Sequence, residues 1–82
     1  MSHVASVPKY HFNVKNESDI YVDNEGMNLP NLDAAYAEAL RMARELITEV
    51  PEFGTCTFIQ VTDRTGKTVL TVRFSEATGP LH

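Results

Sequence analysis

The feature that most restricts the fold of this 82-residue chain is a double change of hydrophobic period. Tyr10, Phe12 and Val14 alternate with Lys9, His11, Asn13 and Lys15, the pattern of a half-buried strand. Between Leu32 and Val50 the apolar residues recur every three or four positions, the pattern of one helix face. After Gly54 the period returns to two. A lone amphipathic helix flanked by strand pairs buries its stripe best by lying on the sheet those strands form.

The strands follow from the turn residues. Asn16-Glu17-Ser18-Asp19 separates the first strand, near residues 9–15, from a short second one near 20–23. On that reading Ile20 and Val22 join Tyr10, Phe12 and Val14 on the buried face. Asp23-Asn24-Glu25-Gly26 is a turn with glycine free to take positive φ. Met27 and Leu29 either extend the strand beyond this turn or lead into the helix. Beyond the helix, Thr57, Ile59 and Val61 alternate with Cys56, Phe58, Gln60 and Thr62. Asp63-Arg64-Thr65-Gly66 closes a second hairpin, and Leu70, Val72 and Phe74 return to the core. Strands are expected near 56–62 and 67–74.

The helix is expected from about Asn31, a good N-cap, to Val50, where Pro51 disfavours continuation and Gly54 ends the connection. Its apolar stripe is Leu32, Ala35, Tyr36, Ala39, Ala43, Leu46, Ile47 and Val50, with Asp33, Glu38, Arg41, Arg44 and Glu45 on the other side. The predicted fold is α+β in the order ββαββ, with one helix packed on one face of a four-stranded, mainly antiparallel sheet. Residues 1–7 read as a flexible arm, 8–74 as a single domain and 75–82 as a tail.

Composition narrows the function classes. Seven basic and eleven acidic residues give a net charge of −4, and the basic residues form no run, which disfavours nucleic acid as partner. No stretch of roughly 18 apolar residues is present to span a bilayer. The N-terminus has no basic start followed by an apolar segment, and Cys56 is the only cysteine, so a cytoplasmic protein without disulfides is expected.

Several segments resemble a known family. They are Pro8-Lys9-Tyr10-x-Phe12-x-Val14, Asp23-x-Glu25-Gly26-x-x-Leu29-Pro30-x-Leu32-x-x-Ala35-x-x-Glu38-Ala39, Ala43-Arg44-x-Leu46, and Val61-Thr62-Asp63-x-x-Gly66-x-x-Leu70-x-Val72-x-Phe74. They look like short bacterial, rhizobial-type proteins catalogued as a domain of unknown function (six-eight-nine-four). The resemblance covers Pro8 to about Phe74 and is most specific from Asp23 to Leu32. Asn31 stands where that family often carries Asp, and the loop 16–19 lacks the glycine usual there. The resemblance implies no catalytic residues.

No chemical constellation emerges from the spacing. His3, His11 and His82 lack zinc-ligand spacing, so no metal and no cofactor is expected. Cys56 with His11 is a nucleophile–base pair only if the fold brings them together. Glu17, Asp19, Asp23 and Glu25 lack the ligand positions of a calcium loop, and Asp19, Asp23 and Asn24 read as turn residues instead. No enzyme is expected. By alternation the outer sheet face should show His11, Asn13, Tyr21, Phe58, Gln60, Val69, Thr71 and Arg73. Tyr21, Phe58, Val69, His11 and Arg73 are therefore the candidate interaction surface, for a homodimer or an unidentified protein partner. The alternative is a nucleic-acid-binding or antitoxin-like regulator that stacks bases on Tyr21, Phe58 and His11.

Overall fold

A computed structural model describes residues 7–50 and 56–77. In chain order its elements are β1 (Lys9–Lys15), β2 (Ile20–Tyr21), β3 (Met27–Asn28), α1 (Leu32–Glu49), β4 (Phe58–Thr62), β5 (Thr68–Arg73) and α2 (Phe74–Ala77). The chain is thus α+β, with an open antiparallel sheet and one main helix. The strand order is β2-β1-β4-β5, and β3 pairs with β1 as well. The arm up to residue 6, Pro51, Gly54 and the residues from 78 onward lie outside the described residues.

The helix starts as its capping chemistry requires. The Asn31 side-chain oxygen accepts from the Ala34 amide at 2.9 Å, filling one of the donors a helix start leaves open. Ala35, Ala39 and Ala43, spaced by four, are fully buried and bring the helix axis close to the sheet. Against them lie Tyr10, Phe12, Val14, Ile59, Val61, Val72 and Phe74. The stripe is rotated from the expected one. Leu40 and Met42 pack against the core, as do Leu46 and Ile47, while Leu32 and Tyr36 are exposed. With alanines at its centre, the face reaches larger side chains on both flanks.

Two further elements depart from ββαββ. Met27 and Asn28 form a strand of their own beside Tyr10 and Lys9. At the far end α2 takes Phe74, expected at the end of the last strand, together with residues 75–77 of the expected tail, and buries Phe74 and Ala77. It is held partly by the Tyr36 hydroxyl, which donates to the Glu76 carboxylate at 3.2 Å. That bond raises the Tyr36 phenol above its usual range, because losing the proton would set two negative charges side by side.

Register corrects the second strand. Tyr21 lies opposite Val14 and Ile20 opposite Lys15. Directly paired residues share a face, so Tyr21 is on the helix side and Ile20 on the open side, the reverse of the expected order. Ile20 and Val22 are 52% and 59% exposed rather than buried. The turn after Lys15 reverses the phase: Asn16 accepts with its side chain from Ser18 and Asp19, and the Asn16 amide bonds the Asp19 carbonyl. Asn16, rather than Asp19, organises that turn.

Val69 is displaced for a different reason. Between Val61 and Thr62 the pairing with β5 slips, since Val61 faces Leu70 while Thr62 faces Thr68. The extra residue is Val69, and this bulge turns it onto the core.

Candidate functional site

Alternation along β1 places Lys9, His11, Asn13 and Lys15 on the sheet face away from the helix, since Tyr10, Phe12 and Val14 point into the core. Pairing extends that face sideways. Asn28 shares it opposite Lys9, Thr62 opposite His11, Gln60 opposite Asn13 and Phe58 opposite Lys15, and on β5 Thr71 lies opposite Gln60 and Arg73 opposite Phe58. One row therefore crosses the sheet as Ile20, Lys15, Phe58 and Arg73. The Lys15 ammonium lies 5.9 Å from the Phe58 ring centre, within reach of a cation–π contact.

Of the five candidate residues, the fold brings His11, Phe58 and Arg73 to this face. Tyr21 and Val69 go to the other side. Ile20, first read as core, takes the place of Tyr21 beside Lys15. Only knowledge of the register could have found it.

The edge of β1 is built with side chains as well as backbone. Its ends pair with β3 and β2, and the segment between them, residues 22–26, leaves the ladder. Asp23 closes the gap. Its carboxylate accepts from the backbone amides of Phe12, Glu25 and Gly26, each at 3.1 Å. The Asp23 amide donates to the Asn13 side-chain oxygen at 2.8 Å, and the His11 Nδ1 donates to the Asp23 carbonyl at 2.8 Å. Partial burial alone would raise the Asp23 carboxyl. The amides of Gly26, Phe12 and Glu25, with His11 nearby, outweigh burial and hold it below the usual carboxylate range.

Gly26 makes this arrangement possible. It has φ +72°, and a Cβ there would lie 3.0 Å from the His11 Cε1, 3.0 Å from the Lys9 Cγ and 3.1 Å from the Tyr10 carbonyl oxygen. The opposite loop uses the same device. The Asp63 carboxylate accepts from the Thr65 hydroxyl and from the Thr65 and Lys67 amides, bonds that lower its pKa, and Gly66 follows at φ +89°.

The candidate catalytic pair is not assembled. His11 faces Thr62 at one end of β4, whereas Cys56 precedes Phe58 at the other. The strand alone separates those ends by roughly 13 Å. Among the described residues no group of three His, Cys, Asp or Glu side chains could hold a metal ion. Nor, among them, is any helix long and apolar enough to cross a membrane.

The family described as domain of unknown function DUF6894 matches residues 9–75. The chain belongs to this family. The match runs from the first residue of β1 into α2, so the DUF6894 unit comprises the whole sheet, the helix and both Asp-anchored loops. No curated protein and no solved structure matches the chain.

Proposed function

We propose that this DUF6894 protein is a non-enzymatic, cytoplasmic interaction module that self-associates through its open sheet face. The observation that carries the reading is the row Ile20, Lys15, Phe58 and Arg73. It places two large apolar side chains on a face that the helix leaves uncovered. The outer side of α1 is a poorer surface, because Arg41 is paired there with Glu38 and Glu45, and those charges cost free energy to desolvate. Burying Ile20 and Phe58 against a second copy contributes roughly 25 cal/mol per Å² of apolar area, and a domain this small gains from it. The lone cysteine fits a reducing compartment.

Light scattering across a concentration series tests the proposal. The wild type is expected to dimerise, and Ile20→Ser with Phe58→Ser to remain monomeric. Tyr21→Ser, on the opposite face, should leave the dimer intact. A wild type that stays monomeric at high concentration, or a dimer that survives the double change, refutes it.

A second reading is favoured by the distribution of charge. β1, β4 and β5 carry Lys9, Lys15 and Arg73 and no carboxylate, so this face suits a polyanion although the whole chain is acidic. Phe58, with Lys15 and Arg73 opposite it on the neighbouring strands, is a stacking platform for a single-stranded nucleic acid. Gel shift with an oligonucleotide at two salt concentrations separates the readings: binding that weakens steeply with salt and is lost in Phe58→Ser supports this one.

A further inference from the structure

At the His11 end of the open face, Lys9, His11, Asn28, Arg64 and Val7 line a hollow of about 470 Å³. Asn28 and Lys9 are cross-strand partners, His11 is the next outward residue of β1, and Arg64 arrives from the β4–β5 loop. No carboxylate lines the hollow, and neither Lys9 nor Arg64 forms an ion pair with a described acid. The nearby carboxylates of Asp23 and Asp63 accept backbone amides and line a second hollow, shared with His11 and Arg64. Two cations, an imidazole and a neutral amide therefore line one polar space that no carboxylate lines, and their charges favour an anion there.

We propose that Lys9, His11, Asn28 and Arg64 bind a phosphate group. Arg64 offers a planar fork of donors, Lys9 a point charge and the Asn28 amide a neutral donor. A carbonyl only accepts, so the bond from His11 to Asp23 fixes the proton on Nδ1 and leaves Nε2 as the free ring atom. Nε2 accepts from a protonated phosphate oxygen when the ring is neutral and donates to a deprotonated one when the ring is charged, so it can bond the group in either form. The hollow exceeds a bare phosphate and falls in the size range of small-molecule sites, with room for a substituent on the phosphorus. A side chain at Gly26 would press on His11 and Lys9, so the bare glycine leaves those two residues in place.

The site is independent of the self-association strip, which lies four residues along β1 at Lys15, or roughly 13 Å away; each can fail alone. The test is a nuclear magnetic resonance titration of the labelled full chain with inorganic phosphate, with sodium chloride balancing the ionic strength. Saturable shifts are expected in the His11 ring and in the amides of Lys9, Asn28 and Arg64, with a dissociation constant roughly in the millimolar range. Lys9→Gln with Arg64→Gln should weaken binding about tenfold or more, while Arg44→Gln on the helix should leave it unchanged. Adenosine monophosphate and a short oligothymidylate identify the carrier: the tighter binder shows whether a small phosphomonoester or a nucleic-acid backbone presents the group. Shifts that never saturate, that survive the double change, or that fall equally in Arg44→Gln overturn the proposal.

Discussion

Replacing Asp23 by Ala is expected to destabilise the domain by about 2–4 kcal/mol, although its side chain reaches solvent. The carboxylate accepts three backbone amides, and hydrogen bonds to a charged group contribute about 1.5–3 kcal/mol each where water cannot replace them. The Glu25 amide is exposed, so water substitutes there. The Phe12 and Gly26 bonds are part-buried and account for most of the loss. Asp23→Asn is expected to recover less than half of it. The two carboxylate oxygens serve opposite sides of the turn, and an amide must turn its NH₂ toward one set of donors. Urea denaturation followed by circular dichroism measures both variants, and thermal midpoints should fall by roughly 10–20 °C for the alanine change. The dependence on pH has a definite sign. Because the folded protein holds the Asp23 carboxyl low, its contribution is complete above the ordinary aspartate range and is lost as pH falls through the lower folded value. The gap between wild type and Asp23→Ala should therefore shrink below about pH 4. A midpoint within about 0.5 kcal/mol of wild type at neutral pH, or a gap that does not change in acid, would refute the idea that Asp23 replaces a strand acceptor.

The two positive-φ glycines should differ in sensitivity. Gly66→Ala meets open space and is expected to cost about 1–2 kcal/mol of backbone strain, while Gly26→Ala adds contacts near 3.0 Å and should cost more, as read from denaturation midpoints. Ala39→Leu is expected to lose about 1–3 kcal/mol or more by forcing the helix off the sheet. Leu46→Ala, which the sequence pattern alone would put at 2–5 kcal/mol, is expected to cost only about 1–2 because Leu46 is half-buried. The Tyr36 phenol should titrate above its ordinary range by tyrosine-ring resonance, and Glu76→Gln should bring it down.

Periodicity made the long elements legible. The first strand was expected at residues 9–15 and spans Lys9–Lys15, and the helix was expected at 31–50 and spans Leu32–Glu49. Over such lengths the burial pattern averages out local exceptions. It failed where elements are short or irregular. Ile20-Tyr21-Val22 offers three apolar residues and no alternation, so its face depended on the turn before it, and that turn set the opposite phase. Val69 sits at a bulge, which adds a residue without leaving a sequence mark. Phe74 was correctly expected in the core, yet the turn of α2 that it opens needed the tertiary contact between Tyr36 and Glu76.

The candidate site was hidden by an average that could have been taken differently. Seven bases against eleven acids argue against an anionic partner when counted over the whole chain. Counted by element, the helix carries Asp33, Glu38, Glu45 and Glu49 against Arg41 and Arg44, and the three longest strands carry bases alone. That segregation was available in the sequence once the elements were assigned, and folding turns it into two faces of opposite sign. What no count could supply is the convergence at the His11 end. Lys9 and Arg64 are 55 positions apart, and they meet because β1 and β4 are antiparallel neighbours and the Asp63 turn carries Arg64 back over that end of the sheet. Asn28 joins them only because Asp23 and Gly26 fold the chain back against β1. The Asp23–Gly26 turn is structural in its chemistry, and it matters to the proposed site by position: it brings Asn28 beside Lys9 while its own carboxylate is held on the amides of Phe12, Glu25 and Gly26.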